Sequence, residues 1–118
     1  MNLGMFELPR RRMLKRRNDF QRVYRKGRSL ANRYFVLYVF ESDELAGKVG
    51  FAAGKKLGCA VKRNRVKRLL REVYRLHSSE LRPGIALLLV GRQAMLNVKC
   101  PAVEKSFLSL GKKAGIFR

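Results

Sequence analysis

"AVKRNRVKRLLREVYRLH" (residues 60–77) lies between two strand-like segments, "KVGFAAGKK" (48–56) and "IALLLVGR" (85–92). At about 100° per residue, Val66, Leu69, Leu70 and Val73 share one side of a helix, with Leu69 and Val73 expected against a sheet. Asn64, Arg68, Arg71 and Arg75 share the opposite side, and Arg65 and Lys67 flank them. Lys62 and Arg63 fall in the first turn, where outward-pointing backbone N–H groups favour an anion. The segment before the helix reads as a strand weakened by Gly50 and Gly54, and the one after it is almost wholly apolar, suited to a sheet interior.

The rest of the chain fits around this unit. Asn18 can cap a short helix that carries Phe20, Val23 and Tyr24 on one face and ends at Gly27. Within "NRYFVLYVF" (32–40) a strand is expected from Arg33 to Phe40. Its period of two sets Tyr34, Val36, Tyr38 and Phe40 on one face and Phe35, Leu37 and Val39 on the other. "ESDELAG" (41–47) is the connection to the next strand, and Pro83-Gly84 turns the chain into the apolar one. Pro101 suits the first turn of a last helix striped by Val103, Phe107, Leu110 and Ala114. The expected fold is α+β: a small two-layer α/β sandwich in the order α-β-β-α-β-α, with three to four strands. There is no internal repeat and no long linker, so residues 1–118 read as a single domain, with 1–12 a flexible basic tail.

Charge narrows the function. Lys and Arg number 28 against 8 Asp and Glu, a formal charge of +20. Such self-repulsion opposes folding and points to a negatively charged partner, nucleic acid first. The charge is patterned: ten basic residues and one acid lie in 10–28, and nine and one in 55–75. Along the long helix, Arg63–Lys67, Lys67–Arg71 and Arg71–Arg75 are like-charged i,i+4 pairs, which repel. A solvated face normally mixes its signs; a face left uncorrected reads as a grip on a polyanion. No apolar run approaches the about 20 residues needed to span a bilayer, and no continuous signal-peptide core is present. The chain reads as cytoplasmic, with no membrane partner. Cys59 and Cys100 then read as packing residues, since a tetrahedral zinc site wants about four ligands.

A helix-turn-helix for DNA would need a second helix just upstream, where this chain has a strand. RNA fits better, gripped through phosphates and folded shape. A ribosomal or other structural RNA-binding protein satisfies the composition equally well. At "KRNRVKRLLREVYRLH" the chain resembles the protein component of bacterial ribonuclease P, whose signature is Arg-Asn-Arg followed by further basic residues on a helix. "RRNDFQRVYRKGRSLANRYFVLYV" (16–39), "VGFAAGKKLGCAVKRNRVKRLLREVYRLH" (49–77) and "VEKSFLSLGKKAG" (103–115) extend the resemblance from about Met13 to Gly115. The chain departs from the family near Gly54, where serine is usual, and at Cys59, where asparagine is usual.

The resemblance implies a left-handed β-α-β crossover and an endoribonuclease that works as a ribonucleoprotein. In that assembly the RNA subunit carries catalysis with Mg²⁺, bound mainly through RNA. The implied partners are ribonuclease P RNA and precursor tRNA, whose 5′ leader is removed, with no obligate protein partner. Arg63, Asn64, Arg65, Lys67, Arg68 and Arg71 match the motif that faces the catalytic RNA. Phe20, Tyr24, Val36 and Tyr38 match the leader-binding cleft, although aromatic residues at such spacing are more often core. No catalytic or metal-binding protein residue is expected. His77, the only histidine, reads as a packing or capping residue, and Glu41, Asp43 and Glu44 read as a solvated turn.

Overall fold

The computed structural model describes residues 12–118. The proposed tail therefore lies outside the described residues, apart from exposed Arg12. In chain order the elements are α1 (Arg17–Lys26), β1 (Arg28–Ala31), β2 (Phe35–Glu41), β3 (Val49–Ala53), α2 (Ala60–His77), β4 (Ile85–Gly91) and α3 (Cys100–Ala114). The four strands form one mixed sheet in the order β1-β2-β4-β3, with β4 antiparallel to β2 and parallel to β3.

β4 is the axis of the core. Its residues 85–89 are buried whichever face they point to. Ile85, Leu87 and Leu89 join Phe35, Leu37, Val39, Val49 and Phe51 beneath α2 and α3. Ala86 and Leu88 face the other way and pack with Val23 of α1, Leu14 and Leu45. Alternation along each strand thus feeds two clusters on opposite faces. The α+β class stands, and α1 adds a partial third layer to the expected two. α2 comes so close to β4 that a Cβ on Gly91 would lie 2.2 Å from Val66 Cγ1; only a glycine fits there. Among the described residues no helix is long and apolar enough to cross a membrane.

Backbone chirality fixes the hand of the β3-α2-β4 unit. Leu87 faces the α2 side, and its N–H donates to the carbonyl of Lys48, just before β3 (3.0 Å). The carbonyl of Ile85 accepts from Gly47 on the same side (2.9 Å). On an upward strand of L-residues, a side chain facing the viewer puts its own N–H and C=O on the right. Seen from α2, β3 therefore lies to the right of β4, and the chain crosses leftward over the sheet. This crossover is left-handed, against the usual right-handed rule.

Several expectations are corrected. β1 was not anticipated as a separate strand, because "RSLA" (28–31) has no strand pattern; it forms by antiparallel pairing with β2. The second expected strand spans only Val49–Ala53 and passes into a 3-10 turn at Lys55–Leu57. β2 begins at Phe35, where the Asn32 carboxamide oxygen accepts from the N–H groups of Tyr34 and Phe35 (2.8 and 2.9 Å) and turns the chain. α1 starts at Arg17, so Asn18 lies inside its first turn and caps nothing. On α2, Leu70, Val73 and Tyr74 are buried with Val66, whereas Leu69 is only half-buried at the edge of the core.

That rotation of α2 carries a prediction. Leu70→Ala should lower unfolding free energy by about 2–5 kcal/mol, and Leu69→Ala by clearly less. Denaturant unfolding of both variants checks this; equal losses would mean that the helix is turned the other way.

Candidate nucleic-acid interface

α2 presents a basic surface because its apolar residues are consumed by the sheet. Asn64, Arg65, Arg68 and Arg71 are exposed, while Arg63 and Lys67 are half-buried. All six residues expected to face an RNA thus share one helix: Asn64, Arg65, Arg68 and Arg71 point away from Leu70 and Val73, whereas Arg63 lies in the first turn on the same side as Val66 and Leu70. The ion-pair pattern is uneven: Glu72 binds Arg75 through both carboxylate oxygens, and no acid pairs with the other arginines and lysines of α2 among the described residues. The Arg71 guanidinium lies over the Phe51 ring, 5.8 Å from its centroid, which fixes its stem and leaves its outer edge available. Arg63 Nε is buried and has no acceptor among the described residues. A desolvated guanidinium donor of this kind costs free energy until an acceptor reaches it.

The start of α2 adds to this field. Cys59 is the residue just before the helix, in extended conformation. Its thiol is held below the usual range chiefly by the backbone N–H of Lys62, with Val61 N–H and the Lys62 charge assisting against desolvation. Cys59 is exposed, which corrects its reading as a packing residue; Cys100 is half-buried at the edge of the main core.

The second candidate site lies on the opposite face of the sheet, beside α1. Tyr24 projects from α1 with 55% of its surface exposed. Its ring meets that of Tyr38 at 5.0 Å between centroids, inclined by 37°. Partial burial pushes the Tyr38 hydroxyl up, and the neighbouring Tyr24 hydroxyl adds to the rise. Phe20 is half-buried against the same cluster. Its ring occupies the space over Gly50, where a Cβ would lie 2.9 Å from Phe20 Cε2. Val36 shares the Tyr38 face of β2. It pairs in register with Val90, and Val90 with Ala52, and all three are half-buried.

This half-buried row is the uncovered floor of a groove. The other end of the face is closed by Leu45 and Ala86, with Arg22 lying over the Phe40 ring at 5.7 Å and pairing with Glu44 at 3.0 Å. Phe20, Tyr24, Val36 and Tyr38 therefore gather at one groove. Val90 and Ala52 were missed by the sequence reading, since only strand register places them beside Val36.

Among the described residues no three His, Cys, Asp or Glu side chains gather to hold a metal ion. The acidic turn is not merely solvated, for Glu41 pairs with Arg82 (2.9 Å) as Glu44 does with Arg22. His77 links α2 to its surroundings, with Nδ1 2.5 Å from Glu80 and Nε2 2.6 Å from Glu104 of α3. Burial pushes its pKa down, but the hydrogen bonds and charges of the two carboxylates outweigh that and leave it raised.

Fold and surfaces together define a small, strongly basic protein of the α+β class. A model of the Ribonuclease P family matches residues 8–115. Among curated relatives, the ribonuclease P protein component of Symbiobacterium thermophilum is 44% identical over 108 residues, covering 89% of this chain and 92% of that protein. That of Natranaerobius thermophilus is 42% identical over 105 residues, covering 89% and 91%. Among solved structures, the ribonuclease P protein of Staphylococcus aureus superposes with a TM-score of 0.79 at 34% identity, over 91% of this chain and 98% of its own. The Thermotoga maritima protein gives 0.73 at 28%, over 86% and 96%. The chain belongs to the ribonuclease P protein component family, and with it to tRNA processing by a ribonucleoprotein endoribonuclease. The ribosomal alternative falls away.

The His77 contacts predict a pH dependence. A raised folded-state pKa gives stability that is fully present below the unfolded value of about 6.5 and is lost as pH rises through the folded one. Melting temperatures of the wild type and His77→Gln, compared from pH 5 to 9, should differ most at the acid end and converge as pH rises. A gap that is constant with pH would contradict the assignment.

Proposed function

We propose that the chain is the protein subunit of ribonuclease P, with its two surfaces assigned to two RNAs. The basic face of α2, through Arg63, Asn64, Arg65, Lys67, Arg68 and Arg71, holds the catalytic RNA. The groove formed by Phe20, Tyr24, Val36 and Tyr38 holds the single-stranded 5′ leader of precursor tRNA. The observation that carries this reading is the separation of the two surfaces by the sheet: uncompensated cations on one face, an open aromatic groove on the other. Phosphates of a folded RNA complete the first by neutralising like charges. Unstacked bases complete the second, because rings accept any base on their faces.

Removal of the leader is a phosphodiester hydrolysis carried by the RNA subunit, in the cytoplasm. Mg²⁺, bound mainly through the RNA subunit, would supply charge stabilisation and an activated water there. The described protein residues offer it no carboxylate cage. The protein's contribution is to hold the leader and to offset phosphate repulsion between the two RNAs, and no protein partner enters the scheme.

Affinities of the assembled complex for precursor and mature tRNA test the division. Tyr38→Ala should weaken precursor binding by about 1–3 kcal/mol and leave mature tRNA, which lacks a leader, nearly unchanged. Arg68→Ala should weaken assembly with the catalytic RNA whichever tRNA is present, and lower the salt dependence by about one charge. Equal losses for both tRNAs with Tyr38→Ala would return that residue to a packing role.

A further inference from the structure

A cleft of about 500 Å³ opens at the C-terminal end of α2, where β3 and β4 begin. It is lined by Arg12, Lys48, Tyr74, Ser78, Arg82 and Arg118, together with apolar and glycine positions, and no carboxylate side chain lines it. Tyr74 lies eleven residues beyond Arg63 on α2, about 16 Å along the helix axis. The cleft is thus set apart from the first turns of α2, and the groove beside α1 lies across the sheet.

Two of its arginines are anchored to main-chain carbonyls. Arg82 Nε donates to the Gly115 carbonyl (2.6 Å) and Nη2 to Glu41 (2.9 Å), so this guanidinium is both fixed and neutralised. Arg118 Nε donates to the Leu81 carbonyl (3.1 Å), beside the Leu81–Phe117 bridge, which leaves its terminal nitrogens without an acceptor among the described residues. Arg12 and Lys48 have no ion-pair partner among the described residues. Burial pushes the Tyr74 hydroxyl up, and the Arg12 charge acts against that rise, so Arg12 and the phenol share the cleft. Three cations without an acid partner among the described residues line one concavity, a field that favours an anion.

We propose that this cleft is a phosphoryl-binding site in which Arg12, Lys48 and Arg118 hold the anion, carried either by a free nucleotide or by an RNA strand. The volume exceeds what one phosphoryl group needs and lies in the range of small-ligand sites. Arg118 offers paired N–H donors suited to two oxygens, Lys48 acts as a point charge, and the Tyr74 and Ser78 hydroxyls are neutral partners. The site does not depend on which RNA occupies the face of α2.

ADP titrated into the full chain, followed through backbone amide resonances, tests the proposal. The amides of Gly47 and Gly84, both in the cleft lining, should shift with a single saturable midpoint. Lys48→Ala/Arg118→Ala should weaken that midpoint about tenfold or more, and Arg65→Ala/Arg68→Ala should leave it in place. If the double cleft variant melts early, Lys48→Ala alone should still weaken it severalfold. Catalytic-RNA affinity of the cleft variant then separates the sources. A loss with a salt slope shallower by about two charges assigns the site to an RNA strand, and unchanged RNA affinity assigns it to a free nucleotide. Cleft amides that ignore ADP, or that shift with the same midpoint in the cleft variants, overturn the proposal.

Discussion

A strand with no polar side is the constraint on which the structure rests. Most sheets in small proteins have one wet face, but β4 is apolar on both and must be covered on both. α2 and α3 cover one face through Val66, Leu70, Val73, Val103 and Phe107, and α1 covers part of the other through Val23. Because α1 has only ten residues, it leaves the row Val36–Val90–Ala52 half-open. The groove is what remains when a short helix is laid across a sheet that needs a longer one. The same requirement clamps α2 at Gly91, which turns Asn64, Arg65, Arg68 and Arg71 outward.

Electrostatics complements this packing. Most acids of the described chain are spent where they stitch elements together, Glu44 to Arg22, Glu41 to Arg82, and Glu80 and Glu104 to His77, while Glu72 pairs with Arg75 inside α2. With 8 acids against 28 Lys and Arg, few remain to balance the cations of α2. Local order is secured by ion pairs, while most cations of α2 are left without an acid partner among the described residues. Self-repulsion is the cost, and the binding of polyanionic RNA relieves it.

The legible part of the fold was the part governed by period. Helical spacing located α2, strand alternation separated Leu37 from Tyr38, and an apolar run located β4. What periodicity could not see was pairing. β1 exists only because β2 lies beside it, and the groove floor needs the register that aligns Val36 with Val90 and Ala52. The left-handed crossover was expected only through resemblance, since period carries no hand. On α2 the apolar arc was read one residue too early, because Tyr74 was not counted with the core that Phe51 forms against it at 5.8 Å. Cys59 read as packing because two distant thiols are too few for a zinc site; its position at a helix start leaves it exposed.

The central claim is that this chain supports RNA catalysis without performing it. The most direct measurement is cleavage of precursor tRNA by the protein alone, by ribonuclease P RNA alone, and by the two together, each at low and high Mg²⁺. The account predicts no cleavage by the protein under any condition, cleavage by the RNA alone only at high Mg²⁺, and 5′-leader removal by the pair at low Mg²⁺. Cleavage by the protein unaided, or a pair no more active than the RNA alone at low Mg²⁺, would contradict it.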